Sequence, residues 1–222
     1  MRVLVPVADG TEEMEAVVIV DVLRRAGCRV VVASVEQGLQ VTCSRGVVLT
    51  ADAPIADALL AGGAAPFDLI AVPGGMPGAE RLAASAPLSA ALRAQREGGR
   101  PVAAICAAPA VVLQAQGLLP AGQPATAHPA FSARLAHQAG VEERVAVAAD
   151  GRARAGAGGR GLVVTSRGPG TALEFALALV ALLCGEAKAR EVAGPMVMGG
   201  GWEEGVAKVV AAVAAGEAPR GA

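Results

Sequence analysis

Val102-Ala103-Ala104-Ile105-Cys106-Ala107-Ala108-Pro109-Ala110 decides how this chain is read. Four small or branched apolar residues form a short buried strand, and Ala and Pro then open an apolar helical run through Val111, Val112 and Leu113. A strand that becomes a helix within one residue presents that residue at the carboxyl edge of a sheet, where the free N–H groups of the helix start point at it. Those groups and the helix dipole favour an anion, so the thiol of Cys106 is expected to ionise more readily than a free cysteine. Cys106 then reads as a nucleophile on a strand-to-helix elbow, a geometry that hydrolases use for serine. The competing reading is a packed core cysteine, because unpaired cysteine is among the most buried residue types.

Outward from this stretch, strands and helices alternate. Arg2–Val7, Cys28–Val35, 67–72, 102–105, 145–149 and 162–166 read as strands, and Leu39–Thr50 as a hairpin around Ser44-Arg45-Gly46. Helices are expected from Glu12, capped by Thr11 and with an apolar rhythm at Met14, Val17, Val18, Val20 and Leu23, and also over 55–60, 87–96, 130–138 and 172–184. Alternation of this kind predicts an α/β, doubly wound, mostly parallel sheet with helices on both faces and ligands beyond the strand carboxyl ends. Residues 1–198 are assigned to this domain, with 195–198 extended. Residues 199–222 are assigned to an extension in which Gly199-Gly200-Gly201 links to a helical stretch that is either separately mobile or docked late. Gly151–Arg160 reads as a flexible hairpin tip.

Composition narrows the chemistry. The 222 residues are 54% hydrophobic and suffice for one domain with a two-sided core. With 2% aromatics and a net charge of -1, neither stacking platforms nor an attractive field for nucleic acid is present. The cysteines at 28, 43, 106 and 184 form no CxxC pair, and His128 and His137 are the only histidines, so no metal site is expected. Scattered cysteines suggest a reducing compartment; Cys28 and Cys184 read as structural. No apolar run has the length of a membrane span and no leader is visible ahead of Arg2, so a cytoplasmic location is expected.

Three strand ends carry the candidate site: Gly74-Gly75, Cys106 and His128. The two glycines can turn backbone N–H groups toward a ligand, and without a Lys-Ser/Thr ending they serve better as an oxyanion cradle than as a phosphate loop. Glu15 lies within the apolar rhythm of the first helix, where its carboxyl can face the sheet edge. Beside a thiolate its pKa is expected to rise, so that the neutral acid donates to sulfur; the alternative is a solvated partner of the helix dipole. His128 is either a general acid/base that serves Cys106 or a buried histidine tied to backbone. Asp21 is a candidate partner for His128, His137 is expected on an exposed helix, and Arg25 and Arg45 are candidates for a polar patch.

Together, Asp9-Gly10-Thr11-Glu12-Glu13-Met14-Glu15, Asp21-Val22-Leu23-Arg24-Arg25-Ala26-Gly27, Cys43-Ser44-Arg45, Pro73-Gly74-Gly75, Ala103-Ala104-Ile105-Cys106-Ala107, Thr126-Ala127-His128-Pro129 and Thr165-Ser166-Arg167-Gly168-Pro169-Gly170-Thr171 resemble the Parkinson-disease deglycase family of the DJ/PfpI superfamily, in its glyoxalase III-like branch. The resemblance runs in family order to about Met198. It implies a flavodoxin-like sandwich that forms a homodimer through its first helix. Cys106 would be the reactive, oxidation-prone cysteine, Glu15 its hydrogen-bonded acid and His128 the nearby histidine. Gly75 and Ala107 would supply oxyanion N–H groups, and Arg25 and Arg45 would sit near the interface and hold an anion. The implied activity is cofactor-free conversion of methylglyoxal or glyoxal to lactate or glycolate, with glycated adducts as further substrates. The alternative it implies is an oxidative-stress sensor or chaperone-like protein acting through oxidation of Cys106. Cysteine peptidase branches tend to place a histidine directly after the nucleophile, where this chain has Ala107. Two features depart from the family: the length of Gly151–Arg160 and the extension after Met198.

Overall fold

The computed structural model describes residues 1–61, 66–135, 139–140, 142–149 and 161–217. Gly151–Arg160, His137 and the end of the helix expected over 130–138 lie outside the described residues. In chain order the main elements are β1 (Arg2–Val7), α1 (Glu13–Arg25), β2 (Arg29–Ser34), β3 (Gln40–Thr42), β4 (Val48–Thr50), β5 (Ala53–Pro54), α2 (Ile55–Leu60), β6 (Leu69–Val72), α3 (Gly78–Ala84), α4 (Ala86–Glu97), β7 (Val102–Ile105), β8 (Pro124–Ala125), β9 (Ala139–Gly140), β10 (Val145–Ala149), β11 (Leu162–Ser166), α5 (Ala172–Cys184), α6 (Glu186–Ala193) and α7 (Trp202–Glu217).

The main sheet runs β10-β11-β7-β6-β1-β2-β5, and only β10 is antiparallel to its neighbour. Strands β1, β6, β7 and β11 are buried along nearly their whole length, which explains their unbroken apolar sequences. From β1 the chain first builds outward through β2 and β5, then returns to place β6, β7 and β11 on the other side. The reversal falls between β1 and β6, and a crevice at the carboxyl ends of the strands is the expected place for a ligand. Helices α1 and α5 pack together on one face, and α2 and α3 pack against α4 on the other. This is the mostly parallel, doubly wound α/β sandwich that the alternating pattern predicts. Among the described residues no helix is long and apolar enough to cross a membrane.

Several local expectations change. Glu12, not Thr11, caps α1, and its carboxylate accepts the N–H of Glu15 at 2.7 Å. The Thr11 hydroxyl instead accepts the N–H of Ala8 and closes the loop ahead of the helix. The inward face of α1 is Glu15, Ala16, Ile19, Val22 and Leu23, whereas Met14 is 57% and Val17 48% exposed. Residues 194–196 form a 3-10 turn rather than an extended segment, and 129–135 is 3-10 rather than α-helical. Cys184 is exposed at the end of α5 and so is not a core residue.

Helix α7 packs on α5 and β10, with Trp202, Val206 and Val209 buried. Gly205 lets the helix approach closely, since a Cβ there would stand 3.0 Å from Val145 Cγ2. Lys208 ties the far side down by donating to Glu143 at 3.0 Å, and within the helix it pairs with Glu204 at 2.8 Å. The demand for this cover is visible in α5, whose sequence ALEFALALVALLC is apolar almost all round and therefore has to be buried on several sides.

Candidate active site

Strand β7 ends at Ile105, and Cys106 takes φ +65°, the left-handed region that a residue with a Cβ occupies at a cost of about 1–3 kcal/mol. Two neighbours hold it there. Its N–H donates to Ser166 O at 3.0 Å, and its C=O accepts the His128 N–H at 2.9 Å. Those bonds satisfy both backbone groups of the strained residue, and they aim its side chain away from the strand and into the crevice. The chain then turns into a π-helical segment at Pro109–Leu113.

The loop after β6 fits this elbow closely. A Cβ on Gly74 would lie 2.7 Å from Cys106 Cβ, and one on Gly75, at φ +90°, would lie 2.4 Å from Glu12 N. Only glycines let the two loops meet, and the meeting directs the N–H groups of Gly75 and Ala107 at the Cys106 sulfur.

Glu15 approaches from below, on the first turn of α1, and is 0% exposed. Its Oε2 accepts the Gly74 N–H at 2.7 Å; Oε1 is buried without a conventional donor, and the side chain that meets this carboxyl is the Cys106 thiol. Burial, aided by the charge of Glu12, raises the Glu15 pKa from 4.5 to about 7, against the opposing pull of the Gly74 N–H and the thiol. The rise agrees with the expectation from sequence, but its main cause is a dry site rather than a neighbouring thiolate.

The thiol itself goes the other way from the sequence expectation. Burial first, and the Glu15 carboxylate second, push Cys106 up to about 12, while the N–H groups of Gly75 and Ala107 pull it down. Two acids confined together cannot both ionise, so the site retains one proton between them. With the proton on Glu15, the repulsion that opposes the thiolate disappears and the two N–H groups still favour it. The elbow therefore acts on the pair and not on the thiol alone.

Cys106 opens to a cleft of about 240 Å³ whose lining includes Glu12, Arg45, Gly75, Ala107, His128 and Phe131. Cys106 is 8% exposed and itself lines this cleft. His128 Nδ1 accepts the Ala130 N–H at 3.2 Å, so the bond that orients the ring uses Nδ1 and not Nε2. No hydrogen bond joins its ring to Cys106 among the described residues. Its segment is hung on β11, where the Thr126 N–H donates to Thr165 Oγ1 at 3.0 Å. Arg45 reaches the rim because Glu13 accepts the Ser44 hydroxyl at 2.8 Å and the Arg45 N–H at 2.9 Å. Burial would raise the Glu13 pKa, but these hydrogen bonds hold it below the ordinary carboxylate value.

The structure thus brings together Cys106, Glu15, His128, Gly74, Gly75, Ala107 and Arg45. It does not bring Asp21 to His128. Asp21 points along the exposed side of α1, where Arg25 donates to it at 2.6 Å, so Arg25 is also away from the cleft. Asp21 misses because the helix rotates its face outward, toward a separate apolar hollow of about 270 Å³ lined by Val17, Val20, Val32 and Leu49, and Arg25, expected in a polar patch rather than in the cleft, is its ion-pair partner there. Helix α7 contributes nothing to the cleft lining. Sequence reasoning quoted Glu13, Thr165 and Ser166 only as members of motifs and gave them no role; they orient the site through hydrogen bonds between residues distant in sequence, which carry no local signal.

Comparisons with known proteins give the family. The model of the DJ-1/PfpI family matches residues 1–182. DJ-1 homolog B of Arabidopsis thaliana is 46% identical over 187 residues, 84% of this chain and 39% of that protein. The chain spans less than half the length of the two Arabidopsis relatives, 39% and 46%. The protein dj-1beta of Drosophila melanogaster is 38% identical over 190 residues, 86% of this chain and 93% of that one. A Caenorhabditis elegans protein named glutathione-independent glyoxalase DJR-1.2 is 31% identical over 198 residues, 88% of this chain and 95% of its own. Among solved structures, oxidized Toxoplasma gondii DJ-1 superposes with a TM-score of 0.77 at 45% identity, covering 88% of this chain and 97% of that one. With the family model spanning most of its length, and with relatives above 30% identity matched over nearly their whole chains, this chain belongs to the DJ-1/PfpI family.

Proposed function

We propose that this protein is a glutathione-independent glyoxalase acting on methylglyoxal and glyoxal through Cys106. The observation that carries the reading is the juxtaposition of a thiol and a fully buried carboxyl beside two backbone N–H donors, at a cleft sized for a small molecule. The name of the Caenorhabditis relative supports it.

In this scheme the Cys106 thiolate, with the proton held on Glu15, adds to the aldehyde carbon of methylglyoxal to form a hemithioacetal. Gly75 and Ala107 N–H groups bind the developing oxyanion. Glu15 passes its proton to that oxygen and completes the hemithioacetal; the resulting carboxylate, or His128, then takes the proton from the former aldehyde carbon, giving an enediol, and returns it to the neighbouring carbon to give a thioester. Water hydrolyses the thioester, releasing lactate and the thiol. The aldehyde carbon is oxidised while the ketone carbon is reduced, so the reaction balances within the substrate without an external oxidant. Glycated adducts would enter the same chemistry as masked dicarbonyls. The exposed Met14 and Val17, together with the apolar hollow beside them, support a homodimer built on α1.

Lactate production from methylglyoxal in the absence of glutathione tests this reading, comparing wild type with Cys106→Ala and Glu15→Gln. Turnover that is lost in both variants is expected; undiminished turnover in Cys106→Ala would refute it. One observation favours a second reading, oxidative sensing by Cys106: the similar Toxoplasma structure is of an oxidized protein. That reading gains if the reduced wild type shows no turnover while peroxide selectively modifies Cys106.

A further inference from the structure

Two thiols meet on the side of the molecule opposite the cleft. Cys28 lies just before β2, at the amino-terminal edge of the parallel sheet, and is 6% exposed. Cys184 is the last residue of α5 and is exposed. Their sulfur atoms stand 3.8 Å apart, although 156 positions separate them in sequence. Only one of the two residues, Cys28, is buried; Cys184 is exposed.

We propose that Cys28 and Cys184 are a redox pair that closes to a reversible disulfide on exposure to a peroxide, stapling the α1–β2 junction to the end of α5. The sulfurs are already in contact at 3.8 Å, and closing the bond brings them nearer by about 2 Å. The exposed partner reacts first. The Cys184 thiolate attacks one peroxide oxygen, the O–O bond breaks, and a sulfenic acid and one water form. Cys28 then attacks the sulfenic sulfur and displaces hydroxide, which leaves as a second water with the remaining thiol proton. Two thiols lose two electrons, and the peroxide gains them. Burial and the neighbouring Cys184 push the Cys28 thiol up to about 12, so it stays protonated and is not the thiol that meets the oxidant first.

The pair is separate from Cys106. Cys106 follows the carboxyl end of β7, whereas Cys28 precedes the amino end of β2, and the two strands run parallel in one sheet. The staple would tie the first βα unit to the helical layer of α5, α6 and α7. Closing a loop that spans most of the chain places its effect near the upper end for a disulfide, an unfolding midpoint raised by roughly 10 °C.

The test treats the reduced full-length protein with hydrogen peroxide, blocks remaining thiols with N-ethylmaleimide and maps the peptides without reduction. The expected result is a linked peptide pair holding Cys28 and Cys184, lighter by two hydrogen atoms. It should form equally in Cys106→Ala, be absent from Cys28→Ser and Cys184→Ser, and be reversed by dithiothreitol together with the midpoint rise. The proposal is overturned if Cys184 proceeds to sulfinic acid, or pairs with a second copy, while Cys28 remains open to alkylation after unfolding.

Discussion

Replacing Glu15 with glutamine should make the protein more stable at alkaline pH while removing its turnover. The carboxyl is fully buried and its pKa rises from 4.5 to about 7 on folding. Between those values the folded chain binds a proton that the unfolded chain releases, so stability falls as pH rises through that window. Above it the cost is fully present, about 3 kcal/mol at about 1.4 kcal/mol for each pH unit of displacement. Glutamine has no charge to bury, and its carbonyl can still accept the Gly74 N–H that now meets Oε2. Glu15→Gln is therefore expected to exceed wild type by about 3 kcal/mol at about pH 8 and by about 1 kcal/mol at about pH 5. Urea denaturation at both pH values measures this, followed by far-UV circular dichroism and by the fluorescence of Trp202, the single tryptophan. An advantage of the same size at both pH values, or a variant less stable than wild type at the higher one, would refute the dry, proton-retaining carboxyl and the mechanism drawn from it.

The same substitution removes the charge and the hydrogen bond with which Glu15 holds the Cys106 thiol up, so iodoacetamide should alkylate Cys106 faster in Glu15→Gln than in wild type at about pH 8. Gly74→Ala would set a Cβ 2.7 Å from Cys106 Cβ; a loss of about 1–3 kcal/mol in thermal denaturation and a large fall in turnover are expected together. Val209→Asp would put a charge at a 0% exposed position under α7, so Trp202 emission should shift to the red as the helix loosens, while Cys106, whose cleft α7 does not line, should keep its alkylation rate.

Much of the fold is legible in the chain because hydrophobic period is a local property. The unbroken apolar runs of β6 and β7 announce buried parallel strands, and the abrupt passage from Ile105 to Pro109 announces an elbow at Cys106. Gly74-Gly75 is legible for the same reason: adjacent glycines after a strand have few other uses. Glu15 is legible only as a position inside an apolar rhythm, and that rhythm is misread by part of a turn. Met14 and Val17 face outward, and Ile19 and Val22 face the sheet, because the packing of α1 on α5 sets the rotation of the helix. A stripe of valines on several sides does not specify that rotation, and Asp21 misses His128 on the same account.

What the amino-acid order determined by itself is the alternation of strands and helices, the elbow, and the residue types that gather at the carboxyl edge. Tertiary structure alone decided their electrostatics. The direction of the Cys106 pKa depends on how much water and how much negative charge surround the sulfur, and the carboxylate responsible stands on a helix 91 positions earlier in the chain. The left-handed backbone of Cys106 is likewise held by Ser166 and His128, which reach it from two other segments. Local sequence sets backbone preference over a few residues, whereas desolvation, shared protons and cross-strand hydrogen bonds exist only once distant segments have been packed together.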